Sequence, residues 1–65
     1  MIRILAVDDE ERMRRLLMKE LSRKGFSVEV APDGDIAFEL LKTNTYDVVL
    51  LDIVMPGPDD AAIRF

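Results

Sequence analysis

The sequence predicts an α/β fold in which a parallel sheet of three strands is linked by two helices. Two near-continuous apolar runs, residues 2–7 and 48–51, read as strands covered on both faces. The segments between them carry the helical period instead. The order β-α-β-α-β calls for right-handed crossovers and therefore parallel neighbours.

The first strand, Ile2-Arg3-Ile4-Leu5-Ala6-Val7, ends abruptly in acids. From Glu10 to Lys24 the apolar residues Met13, Leu16, Leu17 and Leu21 fall on one side of a helix, with Arg and Lys between them. They are expected to be core, and the basic residues the solvated face. Gly25 supplies the stop after Arg23-Lys24, whose charge suits a helix C-terminus. Phe26, Val28 and Val30 alternate with Ser27 and Glu29, the pattern of a half-buried edge strand. Pro32-Asp33-Gly34 is a turn, and Ile36, Ala37, Leu40 and Leu41 form a second helical stripe. Val48 to Leu51, extended by Tyr46 before and Ile53 after, is the third strand. Met55-Pro56-Gly57-Pro58 reads as a loop, and Asp59 or Asp60 as the cap of one last helical turn over Ala61–Phe65. The continuous strands belong in the centre and the alternating one at the edge, which gives the strand order 2-1-3.

At 65 residues the chain is one domain. A chain of this size buries only ~60% of the surface it exposes when unfolded, so its stability is marginal. Cysteine and histidine are both absent, so neither a disulfide nor a common zinc site reinforces it. Association is the remaining means. The net charge of −4 argues against nucleic acid, which needs a positive footprint. The opening apolar run is short and followed by Asp8-Asp9-Glu10-Glu11, the wrong flank for a signal peptide, and no stretch is long enough to span a membrane. A reducing, cytoplasmic setting is expected.

In an open parallel sheet, ligand-handling groups gather at the carboxyl ends of the strands. The first and third strands end in Val7-Asp8-Asp9-Glu10 and Leu51-Asp52-Ile53. If they are neighbours, Asp8, Asp9 and Asp52 converge. Two carboxylates ~4 Å apart repel by about 1 kcal/mol in water and about 4 at an effective dielectric of 20. Such a rim calls for a cation, and oxygen ligands at a hydrated edge suit Mg²⁺. The metal would neutralise an incoming phosphoryl group while Asp52 attacks phosphorus. Plainer readings compete. Asp8 with Glu11 has the spacing of a capping box, and Asp9 and Glu10 favour a helix N-terminus in any case. Asp52 read as an ordinary loop aspartate is harder to sustain, because an acid after four apolar strand residues is costly outside a polar site.

The run Ile4-Leu5-Ala6-Val7-Asp8-Asp9-Glu10 resembles the opening strand and acidic pair of two-component receiver domains. Gly25-Phe26-Ser27-Val28, Ala31 and Asp33-Gly34 are similar to that family's second strand and following turn. The stretch from Tyr46 to Gly57 resembles its phosphorylation strand and loop. Together the pieces cover residues 2–57, in the family's order. The resemblance implies a phosphoacceptor, Asp52, charged by a histidine kinase. It further implies that Asp9 ligates Mg²⁺ directly, Asp8 acts mainly through water, and the Val54 backbone carbonyl completes the protein ligands. The implied fold is the flavodoxin-like sandwich.

Pro58, Asp59 and Asp60 depart from the family's pattern, and Asp60 is expected to be strained if the backbone there needs positive φ. Residues 1–65 read as the N-terminal half of a receiver. The hydroxyl residue and lysine that the family places on its later strands are not among them. The expectation is therefore a phosphoacceptor impaired as a switch, with weak or unstable phosphorylation. The alternative is a self-associating module, a homodimer joined at the open edge of the third strand. An enzyme using the acids itself is disfavoured. Val54 stands where a second catalytic acid would be needed, and no glycine-rich phosphate loop is present.

Overall fold

The structure, a computed structural model, describes residues 1–54 and 62–64, with side chains as far as residue 51. Its elements are β1 (Arg3–Asp8), α1 (Glu11–Arg23), β2 (Ser27–Ala31), α2 (Gly34–Thr43), β3 (Val48–Val54) and β4 (Ala62–Arg64). The sheet runs β2-β1-β3-β4. Strand β1 is parallel to both neighbours, from Arg3↔Ser27 to Val7↔Ala31 on one side and from Ile4↔Val48 to Asp8↔Asp52 on the other. The expected 2-1-3 order is therefore present, with the half-buried β2 at the edge.

One expectation is corrected. The sequence predicts one helical turn over Ala61–Phe65, but Ala62–Arg64 form a strand antiparallel to β3, pairing Val54↔Ala62, Ile53↔Ile63 and Asp52↔Arg64. The open N–H and C=O groups of an apolar edge strand are a template for pairing, and the chain's own tail fills part of it. Among the described residues, the flank of β3 from Val48 to Leu51 has no partner strand on that side. The expected loop at residues 55–58, the caps Asp59 and Asp60, and the strain at Asp60 lie outside the described residues.

Helix α1 stops as its sequence dictates. Gly25 has φ 95°, its N–H donates to the Ser22 carbonyl (3.0 Å), and the Phe26 N–H donates to the Leu21 carbonyl (3.2 Å). Those are the two bonds of a Schellman motif. Helix α2 begins where Asp33 caps it, its carboxylate accepting the Ile36 N–H at 2.9 Å. The turn expected at Pro32-Asp33-Gly34 is thus also a helix start.

The core is built on β1. Ile4, Leu5, Ala6 and Val7 are buried, and Leu5 and Val7 join Ala31 and Ala37 in a cluster flanked by Leu40, Tyr46 and Leu51. Of the described β3 side chains only Leu51 meets that cluster, and both helices pack mainly on β1 and β2. Right-handed crossovers running in opposite directions put them on opposite faces. Val48 and Val49, whose side chains alternate between those faces, accordingly stay 41% and 37% exposed. The same incomplete cover corrects the expectation for α1: Leu16 is 50% exposed, and the helix has no fully buried residue. Among the described residues, no helix is long and apolar enough to cross a membrane.

Candidate functional site

The carboxyl end of β1 holds a buried acid. Asp8 closes the strand with 4% of its surface exposed, and it is the charged residue buried beside the apolar core. Its Oδ1 accepts the Glu10 N–H at 2.8 Å, and its backbone carbonyl accepts Nη1 of Arg14 at 2.8 Å. The competing reading of Asp8 and Glu11 as a capping box does not hold. A box would need Asp8 at the N-cap, but Asp8 is still in the β-ladder. The N-cap is Glu10, extended at φ −100° and ψ 121° and making no side-chain cap, so Glu11 is the first helical residue.

Asp9 follows, exposed at the rim. Asp52 is the register partner of Asp8, which brings the two backbones side by side at the ~4.8 Å spacing of neighbouring strands. Val54 ends β3 two residues later, opposite Ala62. The backbone therefore gathers all four residues singled out by the sequence at the same end of two adjacent strands. Among the described residues no group of three metal-binding side chains forms.

Charge at Asp8 is informative on its own. A carboxylate taken out of water is costly unless paired or well hydrogen-bonded. Asp8 has one backbone N–H, and among the described residues no cationic side chain lies within ion-pairing distance. A site of that kind fits a divalent cation.

Arg14 is the residue that sequence reasoning missed. It was grouped with the solvated basic face of α1, yet it is half-buried and turned back onto Asp8. The available signal was its position one helical turn after Glu10, on the side facing the strand end. Another polar group lies at the opposite end of the sheet. There the Arg3 guanidinium sits 5.3 Å from the centre of the Tyr46 ring and 3.5 Å from Glu29. Burial raises the Tyr46 pKa, the Glu29 carboxylate pushes the same way, and Arg3 opposes both. The Tyr46 hydroxyl is buried with no hydrogen-bond partner among the described residues.

A parallel α/β sheet ordered 2-1-3, with acids at the ends of its two central strands, defines a receiver-type fold. The profile of the response regulator receiver domain matches residues 4–61. The chain belongs to that family. It is 47% identical over 58 residues to "Response regulator MprA" of Mycobacterium sp. (strain KMS), an alignment covering 89% of this chain and 25% of that protein. To "Transcriptional regulatory protein ResD" of Bacillus subtilis (strain 168) it is 46% identical over 57 residues, covering 88% and 24%. A chain in the crystal structure of histidine kinase ThkA in complex with response regulator protein TrrA superposes with a TM-score of 0.78 at 46% identity. That match covers 88% of this chain and 49% of the other. The chain thus spans about a quarter of the curated relatives and half of the solved one.

Proposed function

We propose that this chain is a phosphoacceptor module. Asp52 takes a phosphoryl group from the phosphohistidine of a histidine kinase, with Mg²⁺ held by Asp9, by Asp52 itself, by Asp8 largely through water, and by the Val54 carbonyl. The observation that supports this best is the pairing of Asp8 with Asp52 at adjacent strand ends, with Asp8 buried and its carboxylate without an ion-pair partner among the described residues. In the transfer, an Asp52 carboxylate oxygen bonds to phosphorus while the P–N bond breaks. The electron pair leaves with the imidazole nitrogen, which takes up a proton. Bound Mg²⁺ supplies positive charge for the phosphoryl oxygens. The protein's part is to present the nucleophile at a fixed strand end, with its acidic neighbours already oriented. Such a kinase partner places the chain in the cytoplasm.

Acetyl phosphate with Mg²⁺ tests this reading by intact mass at early times. The native chain should show a small, Mg²⁺-dependent fraction carrying one phosphoryl group, absent from Asp52→Asn. Modification that persists in Asp52→Asn refutes the assignment.

One observation favours a second reading alongside the first. Val48 and Val49 lie exposed on a strand that neither helix covers. Two copies pairing Val48–Leu51 about a twofold axis would extend the sheet and cover those residues. Light scattering should give a dimer for the native chain and a monomer for Val49→Lys. A folded native monomer rules this association out.

A further inference from the structure

The turn that carries Asp8 and Asp9 off the sheet is closed by hydrogen bonds donated by Glu10 and Arg14. Asp8 is the last strand residue and Glu10 the N-cap, so Asp9 spans a two-bond gap with no ladder or helix bond of its own described. The Glu10 N–H is tied to Asp8 Oδ1 (2.8 Å). The Glu10 carbonyl accepts the Arg14 backbone N–H (3.0 Å), and the Asp8 carbonyl accepts the Arg14 guanidinium (2.8 Å). The backbone bond is the ordinary first i→i−4 bond of α1, so what Arg14 adds is its guanidinium, which ties the Asp8 strand end to the start of the helix. The other α1 arginines with described side-chain bonds, Arg15 and Arg23, pair only with glutamates on the helix surface.

We propose that Arg14 is a positioning residue for the acidic site: its guanidinium, bound to the Asp8 carbonyl, fixes the turn from which Asp8 and Asp9 present their carboxylates. The proposal rests on the reading of those acids as Mg²⁺ ligands and deepens it. The bond is made to a backbone carbonyl, not to a carboxylate, so it leaves the acids' oxygens available to a metal. Groups that orient metal ligands from behind typically change metal affinity by roughly 10- to 100-fold when removed.

Charge and geometry predict opposite signs here. Arg14→Met keeps the packing stem and deletes both the donor and a positive charge at the acidic turn. Were Arg14 only a nearby charge, its loss would strengthen Mg²⁺ binding. If it positions the turn, Mg²⁺ binding weakens by about tenfold, and Arg14→Lys, which retains a donor and the charge, recovers most of the loss. Two measurements on the full chain decide the matter. Calorimetric titration with Mg²⁺ gives the affinity of native, Arg14→Met and Arg14→Lys proteins. Amide exchange followed by NMR, without metal, gives the protection of the Glu10 N–H against that of β1. Selective loss of Glu10 protection in Arg14→Met, with β1 amides unchanged and Mg²⁺ binding weakened, supports the role. Unchanged Glu10 protection, or tighter Mg²⁺ binding in Arg14→Met, overturns it. If the native chain does not respond to Mg²⁺, the metal reading fails, while Glu10 exchange still decides whether Arg14 holds the turn.

Discussion

Two glycines with equally open surroundings offer a clean test of what the backbone demands. A Cβ built on either Gly25 or Gly34 would meet no atom within 4 Å, so substitution creates no clash at either site. They differ in one respect: Gly25 has φ +95°, whereas Gly34 lies outside the left-handed region as the first residue of α2. For Gly25→Ala the left-handed backbone costs about 1–2 kcal/mol, offset by roughly 0.4–1 kcal/mol from the stiffer unfolded chain. The net is a loss of about 1 kcal/mol. At Gly34→Ala only the second effect operates, aided by alanine's helix preference, and the change is a gain of up to about 1 kcal/mol. For so small a chain the urea m-value is about 1 kcal/mol/M. The midpoint should therefore fall by about 1 M for Gly25→Ala and rise for Gly34→Ala. Gly25→Asn should fall between native and Gly25→Ala, because asparagine tolerates the left-handed region better than alanine. Midpoints that move in the same direction for the two alanines, or a Gly25→Ala midpoint equal to the native one, would refute the reasoning.

Other perturbations have equally definite outcomes. Leu5 is fully buried, and Leu5→Ala should cost about 2–5 kcal/mol. Against a total of roughly 3–10 kcal/mol for a chain this size, that loss should lower the urea midpoint followed by circular dichroism by about 2 M or more, and an unchanged midpoint would remove Leu5 from the core. Tyr46→Phe removes a buried hydroxyl that has no partner among the described residues, so urea midpoints should stay level or rise by up to about 1 kcal/mol equivalent. The raised Tyr46 pKa means that the folded state holds its phenolic proton longer than the unfolded chain does. Its stability contribution is complete below the unfolded value of about 10 and is lost as pH rises beyond it. Tyr46→Phe should flatten that alkaline decline, and an unchanged decline would assign it to other groups. Finally, Asp9→Asn should abolish the calorimetric Mg²⁺ signal, and equal binding by both forms would remove Asp9 from the metal site.

Legibility in the sequence followed the range of the signal. Periodicity and punctuation are local, so β1, both helices and the Gly25 stop could be read to within a residue or two. The order 2-1-3 could also be read, because continuous and alternating apolar patterns separate central strands from edge strands. What could not be read depends on which surfaces meet. Leu16 belongs to a proper helical stripe, yet it stays half exposed because no described element flanks α1 on the β3 side. Ala62–Arg64 are too short to carry a period, and the open edge of β3 decides their state, not their own propensity. Arg14 looked like its neighbours in composition. Only the turn at Asp8 distinguishes it, and that turn exists because the strand runs one residue past the apolar pattern.

The site depends on register more than on any one side chain. A one-residue slip between β1 and β3 would carry every side chain of the slipped strand to the opposite face. Asp8 and Asp52 would then no longer be partners. Hydrophobic burial specifies register weakly here, since β3 has apolar residues on both faces and, of its described side chains, only Leu51 packs against the core cluster. The constraint comes from the other end of the strands. The Arg3 N–H donates to Asp47 Oδ2 at 2.8 Å, and the Asp47 N–H donates to the Arg3 carbonyl at 2.8 Å. This reciprocal clasp locks the residue before β3 against the first residue of β1. From Arg3 to Asp8 is five residues, roughly 17 Å along an extended strand. The polar contact at the base of the sheet thus acts at that distance on the acids at its top. Because β1 is buried along nearly its whole length and paired on both sides, it can transmit that alignment without bending. The strand that carries the core is therefore also the one that sets Asp8 beside Asp52.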